Sequence, residues 1–285
     1  MTISRLKHLL CITSLAMLLS PLQAGAHTWD VNQGQFTTFP RMLADLANAR
    51  LVFIGELHDN RGHHQAQLQI IRGLQQAGIP VAIGLEMFRS NSQEALDRWT
   101  AGGMKEDRFR EVFEENWSLW PVYRDIFQYA RQETIPMIGL NIPREISRQV
   151  SQAGFFSLSP SQRGSIPLVR CDVDEAYQNY MRRVLGSHAH QGVAFKNFCE
   201  AQMVWDAVMA KRLIEYLDQH PQRLVVVLAG SGHAWKFGIP EQVRRHLDIP
   251  MRIVLPEIPG RIEKGDAAPS EADYLLLGPE EGPLH

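Results

Sequence analysis

Four short runs of apolar, mostly branched residues predict buried strands along the chain. They span residues 51–55, 81–85, 136–140 and 224–228, and a fifth and a weaker sixth run follow at 252–255 and 274–277. Segments with helical spacing separate these runs. Strands that are apolar throughout and alternate with helices are typical of a parallel sheet covered on both faces. The pattern therefore predicts an α/β fold with a mainly parallel sheet flanked by helices.

The helical spacing is spread over seven segments, at residues 64–76, 93–99, 121–132, 144–152, 174–185, 195–218 and 240–246. Two longer stretches, at about 90–132 and 172–219, contain helical spacing and no convincing strand. We expect these stretches to form helical insertions over the carboxyl ends of the strands. Residues 27–285 are expected to form a single domain.

The first 26 residues have the three parts of a secretory signal peptide. A basic start with Arg5 and Lys7 precedes an apolar run at residues 9–19, and Ala24-Gly25-Ala26 supplies the small residues that a signal peptidase recognises. The pattern predicts export to the periplasm with His27 as the mature N-terminus, while an uncleaved membrane anchor remains an alternative. Cys11 lies within the start of the apolar run, so lipidation is not expected.

Cys171 and Cys199 are the cysteines that remain after processing. An oxidising compartment would allow one disulfide between them. Alternatively, both thiols are buried in helices, and the sequence leaves the two possibilities open. Neither cysteine has the C-x-x-C spacing of a redox or zinc motif.

The overall composition is that of an ordinary globular protein. The chain has 285 residues, a net charge of −2 and 45% hydrophobic residues. It shows no basic patch and no alternation of arginine with aromatic residues, so nucleic acid is not an expected partner.

Polar side chains follow the predicted strands at the edge where α/β sheets bind ligands. Glu56 and His58 follow the first strand, Glu86 follows the second, and His233 follows the fourth. Glu56 and His58 are two residues apart in extended chain, so they face the same way. Imidazoles and carboxylates are ligands for a divalent metal, or they act as a base and the group that orients it. These four residues are the predicted site.

Further polar residues lie near this edge. Asn141 and Arg144 follow the third strand and can hold an anion, with the arginine as a two-pronged donor. Gln202 and Asp206 stand one helical turn apart beside Trp205. They lie either on a solvated helix face or in a buried polar contact behind the strand-end histidines.

Taken in order, the motifs resemble those of the ChaN-like haem-binding uptake family of the Tiki superfamily. The resemblance is carried by Gly55-Glu56-Leu57-His58, Gly84-Leu85-Glu86-Met87, Asn141-x-x-Arg144, Ala201-Gln202-Met203-Val204-Trp205-Asp206 and Gly230-Ser231-Gly232-His233-Ala234. It covers most of the chain, from about residue 51 to residue 255.

The resemblance implies a haem-binding protein of bacterial haem and iron acquisition, with two haems stacked in a homodimer and a tyrosine as iron ligand. Tyr177 and Tyr180 are the tyrosines that we expect in this role, because tyrosine can bind ferric haem as phenolate, although this spacing is also typical of packing residues. Arg144 or a histidine would meet the propionates, and Asn141, Gln202 and Asp206 would line the cofactor site. Cys199 is a remote alternative ligand.

Other branches of the superfamily look like hydrolases, and they supply the alternative interpretation. In a metal-dependent hydrolase, His58 and His233 would bind the ion, and Glu56 or Glu86 would act as a further ligand or as general base. Without metal, the same groups would run an esterase-like reaction with a histidine base. Many relatives of the ChaN type are lipoproteins, whereas this chain lacks a lipobox. Anchoring in the outer membrane is therefore not expected from the sequence. Peripheral contact with the outer membrane or with a haem-uptake system is the partner that the resemblance implies.

Overall fold

A computed structural model of the chain describes residues 27–166, 175–185 and 192–278. In this part of the chain eight strands form one mixed sheet. The strands are β1 (His27–Asp30), β2 (Gln35–Thr37), β3 (Leu51–Glu56), β4 (Val81–Arg89), β5 (Met137–Asn141), β6 (Leu224–Gly230), β7 (Met251–Pro256) and β8 (Tyr274–Leu277). Their order across the sheet is β2-β1-β8-β7-β3-β6-β4-β5.

The sheet is parallel from β5 to β8 and antiparallel only at its other edge. Strands β3, β4, β5, β6, β7 and β8 pair in parallel, whereas β1 is antiparallel to both β2 and β8. The six predicted strands and the mainly parallel α/β fold are therefore confirmed. The two strands that the sequence pattern missed are the short antiparallel strands β1 and β2, of which β2 forms the edge of the sheet.

Helices cover both faces of the sheet, and the described parts of 90–132 and 172–219 are largely helical. They are α1 (Phe39–Leu46), α2 (Arg61–Gln76), α3 (Gln93–Thr100), α4 (Glu106–Asn116), α5 (Trp120–Gln132), α6 (Arg144–Ala153), α7 (Pro160–Ser165), α8 (Glu175–Leu185), α9 (Gly192–Gln219), α10 (Ser231–Ala234) and α11 (Ile239–Arg244), with short 3-10 turns at Ser90–Ser92 and Phe155–Ser157.

The strands are apolar throughout because both faces of the sheet are buried. In β3, Val52 and Ile54 pack into one hydrophobic cluster, which includes residues of α2 and α5. Leu51 and Phe53 point the other way into a second cluster with residues of α9 and α11. Successive side chains of a strand point into opposite hydrophobic clusters. Every position is therefore buried, and no polar residue interrupts the strand.

Helix α9 packs against the sheet on one side and against α6 on another. Met209 and Leu213 belong to the cluster beneath the sheet. Val204 lies in a third cluster with Ile146 and Val150 of α6. A helix with apolar contacts on two sides has no single apolar face, and its packing fixes α6 beside α9.

Several predictions fall on residues outside the described ranges. The signal peptide at 1–26 and Cys171 lie there, so export and the disulfide remain predictions. Cys199 is buried and forms no disulfide with another described residue. None of the described helices is both long enough and apolar enough to span a membrane.

Candidate functional site

The four predicted residues meet at one edge of the sheet because their strands are neighbours. Strand β6 lies between β3 and β4, and Glu56 is paired in register with Gly230. Glu56, Glu86 and His233 are buried. His58 is the more accessible member, with 38% of its side chain exposed.

Glu56 is the centre of a buried hydrogen-bond network. Its Oε1 atom lies 2.8 Å from Nδ1 of His58 and also accepts a hydrogen bond from the hydroxyl of Tyr123. Its Oε2 atom accepts a hydrogen bond of 2.6 Å from Nε2 of Gln67 and lies 3.4 Å from Nδ1 of His64. A carboxylate with this many donors stays ionised, even though it is 1% exposed.

The charges of this network shift two pKa values in opposite directions. Burial raises the pKa of Glu56, but the charge of His64 and the hydrogen bond and charge of His58 outweigh burial and lower it to about 2. Burial lowers the pKa of His58, but the bond to Glu56 and the charges of Glu86 and Glu56 outweigh burial and raise it to about 9. His58 is therefore a cation at neutral pH, and solvent at its exposed side weakens the coupling.

A second carboxylate–imidazole pair lies beside the first. Nδ1 of His233 donates to Oδ1 of Asp206 at 2.6 Å, and its Nε2 lies 3.6 Å from Oε1 of Glu86. Burial lowers the pKa of His233, but the charges of Glu86 and Asp206 raise it above its ordinary value. Burial raises the pKa of Asp206 to about 6, although His233 opposes this shift.

Gly230 joins the two pairs at the end of β6. Its N–H donates to Oε2 of Glu86 at 2.7 Å. A Cβ atom at this position would lie 3.0 Å from Cε1 and 3.1 Å from Nε2 of His58. Glycine therefore allows the imidazole of His58 to lie directly over the strand end.

Asn141 shapes this edge through its own hydrogen bonds. Its Nδ2 donates to the backbone oxygen of Glu86 at 2.6 Å, and its Oδ1 accepts from the N–H of Ile142 at 2.7 Å. Both ends of the amide are thus engaged between β4 and β5. Arg144 begins α6 and is exposed, and its Nη2 donates to the backbone oxygen of Asn116 at 3.2 Å.

Three residues of the network had not been predicted as part of the site. His64 and Gln67 lie on α2, and their side chains are hydrogen-bonded to each other at 3.0 Å. Their spacing of three residues places them on one helix face, which is the available sequence signal. Tyr123 lies on α5, and no motif marks it.

Asp206 is buried behind the strand-end histidine, as one of the two sequence-based interpretations predicted. The metal-dependent alternative gains no support, because the described ranges contain no group of three or more His, Cys, Asp or Glu side chains placed to hold a metal ion.

A groove lies between α6 and α9 beside these pairs. Its α6 wall is polar and consists of Arg144, Ser147, Arg148 and Ser151, and its α9 wall consists of Phe198, Ala201, Gln202 and Trp205, with Trp117 completing the lining. Each set follows the i, i+3, i+4, i+7 spacing of a single helix face. The cavity has a volume of about 460 Å³.

Two tryptophans connect the groove to the histidines. The Trp117 ring lies 5.0 Å from the ring of His58, and the Trp205 ring lies 5.5 Å from that of His233. The Nε1 atom of Trp205 and the Oε1 atom of Gln202 are buried without a hydrogen-bond partner among the described residues. Two residues that line the groove thus each hold a buried polar atom that no described group satisfies.

The two predicted iron ligands lie on α8. Tyr177 is buried, its ring lies 5.8 Å from that of Trp235, and it is not among the described residues that line the groove. Tyr180 belongs to the same helix, but its side chain lies outside the described part of the structure. Ligation by either tyrosine remains a prediction.

Comparison with one solved structure supports the fold. The chain is similar to ChaN of Campylobacter jejuni, a structure described as showing cofacial haem binding, with a TM-score of 0.72, 20% identity, and coverage of 90% of this chain and 99% of that chain. A mutant erythromycin esterase in its open conformation gives a TM-score of 0.49 and 16% identity, covering 82% of this chain and 77% of that one.

Comparison with curated proteins gave no match. The model of one family, described as haem-binding uptake, Tiki superfamily, ChaN, matches residues 42–243. This span includes the two carboxylate–imidazole pairs and the groove. The chain therefore belongs to the ChaN family of haem-binding uptake proteins in the Tiki superfamily.

Proposed function

We propose that this protein binds haem in the groove between α6 and α9 and serves haem or iron uptake in the periplasm. The proposal follows from membership of the haem-binding uptake family. The observation that carries it for this chain is the groove itself, in which an aromatic wall faces a wall with two arginines.

The lining suits an amphipathic, planar ligand. A volume of about 460 Å³ lies within the range of small-molecule sites, which is roughly 300–1,000 Å³. Phe198, Trp205 and Trp117 offer ring faces and edges to a flat apolar molecule. Arg144 and Arg148 offer donors to its carboxylates. Haem combines these two properties in one molecule.

Bound haem would supply an iron centre with redox and spectroscopic properties, and a side chain of the protein would hold the iron. We propose Tyr177 or Tyr180 for this position and two copies of the chain as the binding unit, in line with the cofacial binding described for Campylobacter jejuni ChaN. The signal-peptide pattern of residues 1–26 supports the periplasmic location.

A haem titration of residues 27–285, followed by absorption, tests the proposed function. We expect a saturating Soret band with the charge-transfer features of phenolate-bound ferric iron. Tyr177→Phe and Tyr180→Phe are compared separately, and the variant that loses these features identifies the ligand. A titration without saturation would refute haem binding. If both variants keep the wild-type spectrum, the tyrosine assignment is wrong, although haem binding stands.

Two further measurements test the remaining parts of the proposal. Sedimentation with and without haem is expected to show a dimer in the loaded protein, and a monomer at saturation would contradict the paired arrangement. Fractionation of cells that express the full chain is expected to recover the processed protein in the periplasm. Recovery of the unprocessed chain in the cytoplasm would contradict that location.

A further inference from the structure

A second cavity lies over strand β7, on the face of the sheet that packs against α9 and α11. Its volume is about 460 Å³, which lies within the range of small-molecule sites, roughly 300–1,000 Å³. This β7 cavity shares no lining residue with the groove between α6 and α9. It is therefore a separate place on the molecule at which a ligand of different chemistry can bind.

The floor of the β7 cavity is apolar and belongs to the sheet itself. Met251 and Ile253 are two residues apart in β7, so their side chains lie on the same face. Met251 and Ile249 pack against the core cluster on this face but are only partly buried. A strand inside a mainly parallel sheet ordinarily has both faces covered. The apolar surface left open over β7 therefore suits the hydrocarbon part of a ligand.

A second wall of the β7 cavity is held in place by the core. Phe237 lines the cavity with 38% of its surface exposed, and its ring lies 4.9 Å from that of the buried Trp235. Pro240 and Arg244 follow on α11, four residues apart, and lie on the same side of the cavity. A wall that is already ordered reduces the entropy that binding must cost.

Lys236 brings a positive charge to the edge of the β7 cavity. Its Nζ donates to Oδ1 of Asp273 at 2.6 Å and to the backbone oxygen of Pro269 at 2.7 Å. Asp273 also accepts from the N–H of Ile253 at 2.8 Å and from Nδ2 of Asn32 at 3.2 Å. An ammonium group has three donors, and no third acceptor for Lys236 is found among the described residues. Asp273 thus positions the ammonium group, and one donor stays available to a ligand.

Arg244 supplies a second cation with spare donors. Its Nη2 pairs with Glu241, and no other described group accepts from its guanidinium. A guanidinium can bind a carboxylate through two parallel N–H donors. The lining as a whole contains two cations, Lys236 and Arg244, and one carboxylate, Asp273, which already has three donors. The charge of the lining therefore favours an anionic head group.

An apolar floor with two cations at its edge suits one class of ligand. We propose that the β7 cavity binds a small amphipathic carboxylic acid, such as a medium-chain fatty acid. Its hydrocarbon chain lies on Met251 and Ile253, and its carboxylate meets Lys236 and Arg244. The inference goes beyond haem binding and does not depend on it, because the two sites have no lining residue in common.

NMR of the methionine methyl groups tests the location, with decanoate titrated into residues 27–285 below its micelle concentration. Met251 reports on the floor of the β7 cavity, and Met203 reports on the cluster between α6 and α9. Met251→Leu and Met203→Leu assign the two resonances. We expect a saturable shift at Met251 and none at Met203. A shift at Met203 alone would place the acid in the groove, and no saturable shift at Met251 would refute the inference.

Two analogues test the ligand class by the same measurement. Decanol keeps the chain without the charge, and acetate keeps the charge without the chain. Each should bind at least roughly tenfold more weakly than decanoate, since one loses the charge-assisted bonds and the other the apolar contact. If decanol binds as tightly as decanoate, the cations do not recognise the ligand and the proposed class is wrong. The same holds for the floor if acetate binds as tightly.

Variants link the charge preference to the cavity. Arg244→Gln should weaken decanoate by roughly tenfold and leave decanol unchanged. Arg245→Gln is the matched control, because Arg245 pairs with the same Glu241, at 3.3 Å, but does not line the cavity. Lys236→Gln tests the other cation and retains a donor for Asp273. Thermal unfolding verifies that each variant is folded.

The variants also have outcomes that would overturn the inference. If Arg245→Gln weakens decanoate as much as Arg244→Gln does, the effect is that of general surface charge. If Arg244→Gln and Lys236→Gln both bind decanoate like wild type, the carboxylate is not held at this edge. Failure of haem to bind would refute the proposed function and leave the β7 cavity as a site for the acid.

Discussion

The Nδ1 atom of His233 lies 2.6 Å from Oδ1 of Asp206, so helix α9 holds the imidazole that follows strand β6. Both side chains are buried. The bond fixes the direction in which His233 presents its other nitrogen, and Nε2 points toward Glu86 at 3.6 Å. A residue of α9 therefore orients the histidine that follows strand β6.

Replacing Asp206 with Asn is expected to lower the pKa of His233. Burial lowers this pKa, and the charges of Glu86 and Asp206 oppose it, so removal of one charge gives a partial fall. Titration of the imidazole by NMR, with a chelator present, measures the change. Asp218→Asn is the control because Asp218 is exposed at the end of the same helix. Equal values in wild type and Asp206→Asn would contradict the orienting contact.

Glu56→Gln is expected to destabilise the protein and to lower the pKa of His58. The amide cannot replace the negative charge that His58 and His64 face, and it directs an NH₂ group at existing donors. Removal of one partner from a buried charged network costs about 3 kcal/mol of unfolding free energy. Urea unfolding measures the cost, and NMR titration follows His58, whose pKa of about 9 should move toward its ordinary value.

A matched control for this change is Glu114→Gln on α4. Glu114 forms a single exposed ion pair with Arg110, at 2.7 Å. Solvent screens such a surface pair, so its loss should change the free energy of unfolding little. If Glu56→Gln proves as mild as Glu114→Gln, the network around Glu56 does not stabilise the fold.

The sequence predicts the parallel strands well because burial of both faces of the sheet requires apolar residues along the whole strand. Both faces of β3 and β6 are buried, so each strand is an uninterrupted apolar run. Strands β1 and β2 escape the pattern because they have only four and three residues and pair antiparallel. A strand this short contains too few apolar positions to form a recognisable run.

The candidate site is only partly predictable for a related reason. The sequence identifies Glu56 and His233 because parallel strands end at the same edge of a sheet, however the helices pack. Tyr123 reaches Glu56 from 67 residues away and Gln67 from 11 residues away. Those contacts depend on how α5 and α2 pack against the sheet, and spacing along the chain does not encode that packing. Histidines at a helix start are ordinarily solvated, whereas His64 is buried.

His63 is expected to make the fold sensitive to mild acid. Its Nδ1 accepts the N–H of Leu57 at 2.9 Å, which requires that this nitrogen carries no proton. Burial and then the charge of His64 lower its pKa from 6.5 to about 4. The unfolded chain therefore binds the proton first, and stability falls by up to about 3 kcal/mol as the pH drops from the unfolded to the folded value.

His63→Asn separates this contribution from the other acid-sensitive groups, because the amide oxygen can accept the same N–H without titrating. Urea unfolding at about pH 7.5 and pH 4 should show a smaller acid loss in His63→Asn than in wild type. His246→Asn, at an exposed histidine, should keep the wild-type loss. If His63→Asn loses as much stability in acid as wild type, another group is responsible for this pH window.

Gly230→Ala is expected to displace His58 from Glu56. The added Cβ would lie 3.0 Å from Cε1 of the imidazole, closer than ordinary contact distance, so the ring must move. Such overpacking costs about 1–3 kcal/mol. Loss of the bond to Glu56 should also lower the pKa of His58, which NMR titration detects. Gly164→Ala is the control, since no atom lies within 4 Å of the added Cβ. Unchanged titration of His58 in Gly230→Ala would show that the ring tolerates the methyl group.

Phe198→Ala is expected to weaken haem binding by roughly tenfold, because it removes a ring from the apolar wall of the groove. Phe156→Ala is the matched control: Phe156 is 82% exposed and is not a lining residue of this groove. Phe198 also packs against the core cluster beneath the sheet, so the unfolding free energy of both variants is measured with the affinity.

If Phe198→Ala is folded and binds haem like Phe156→Ala, the ligand does not lie on the α9 wall and the site must be sought elsewhere. If affinity falls only in Phe198→Ala, the ring of the ligand contacts α9, and the arginines of α6 are then the groups nearest to its carboxylates.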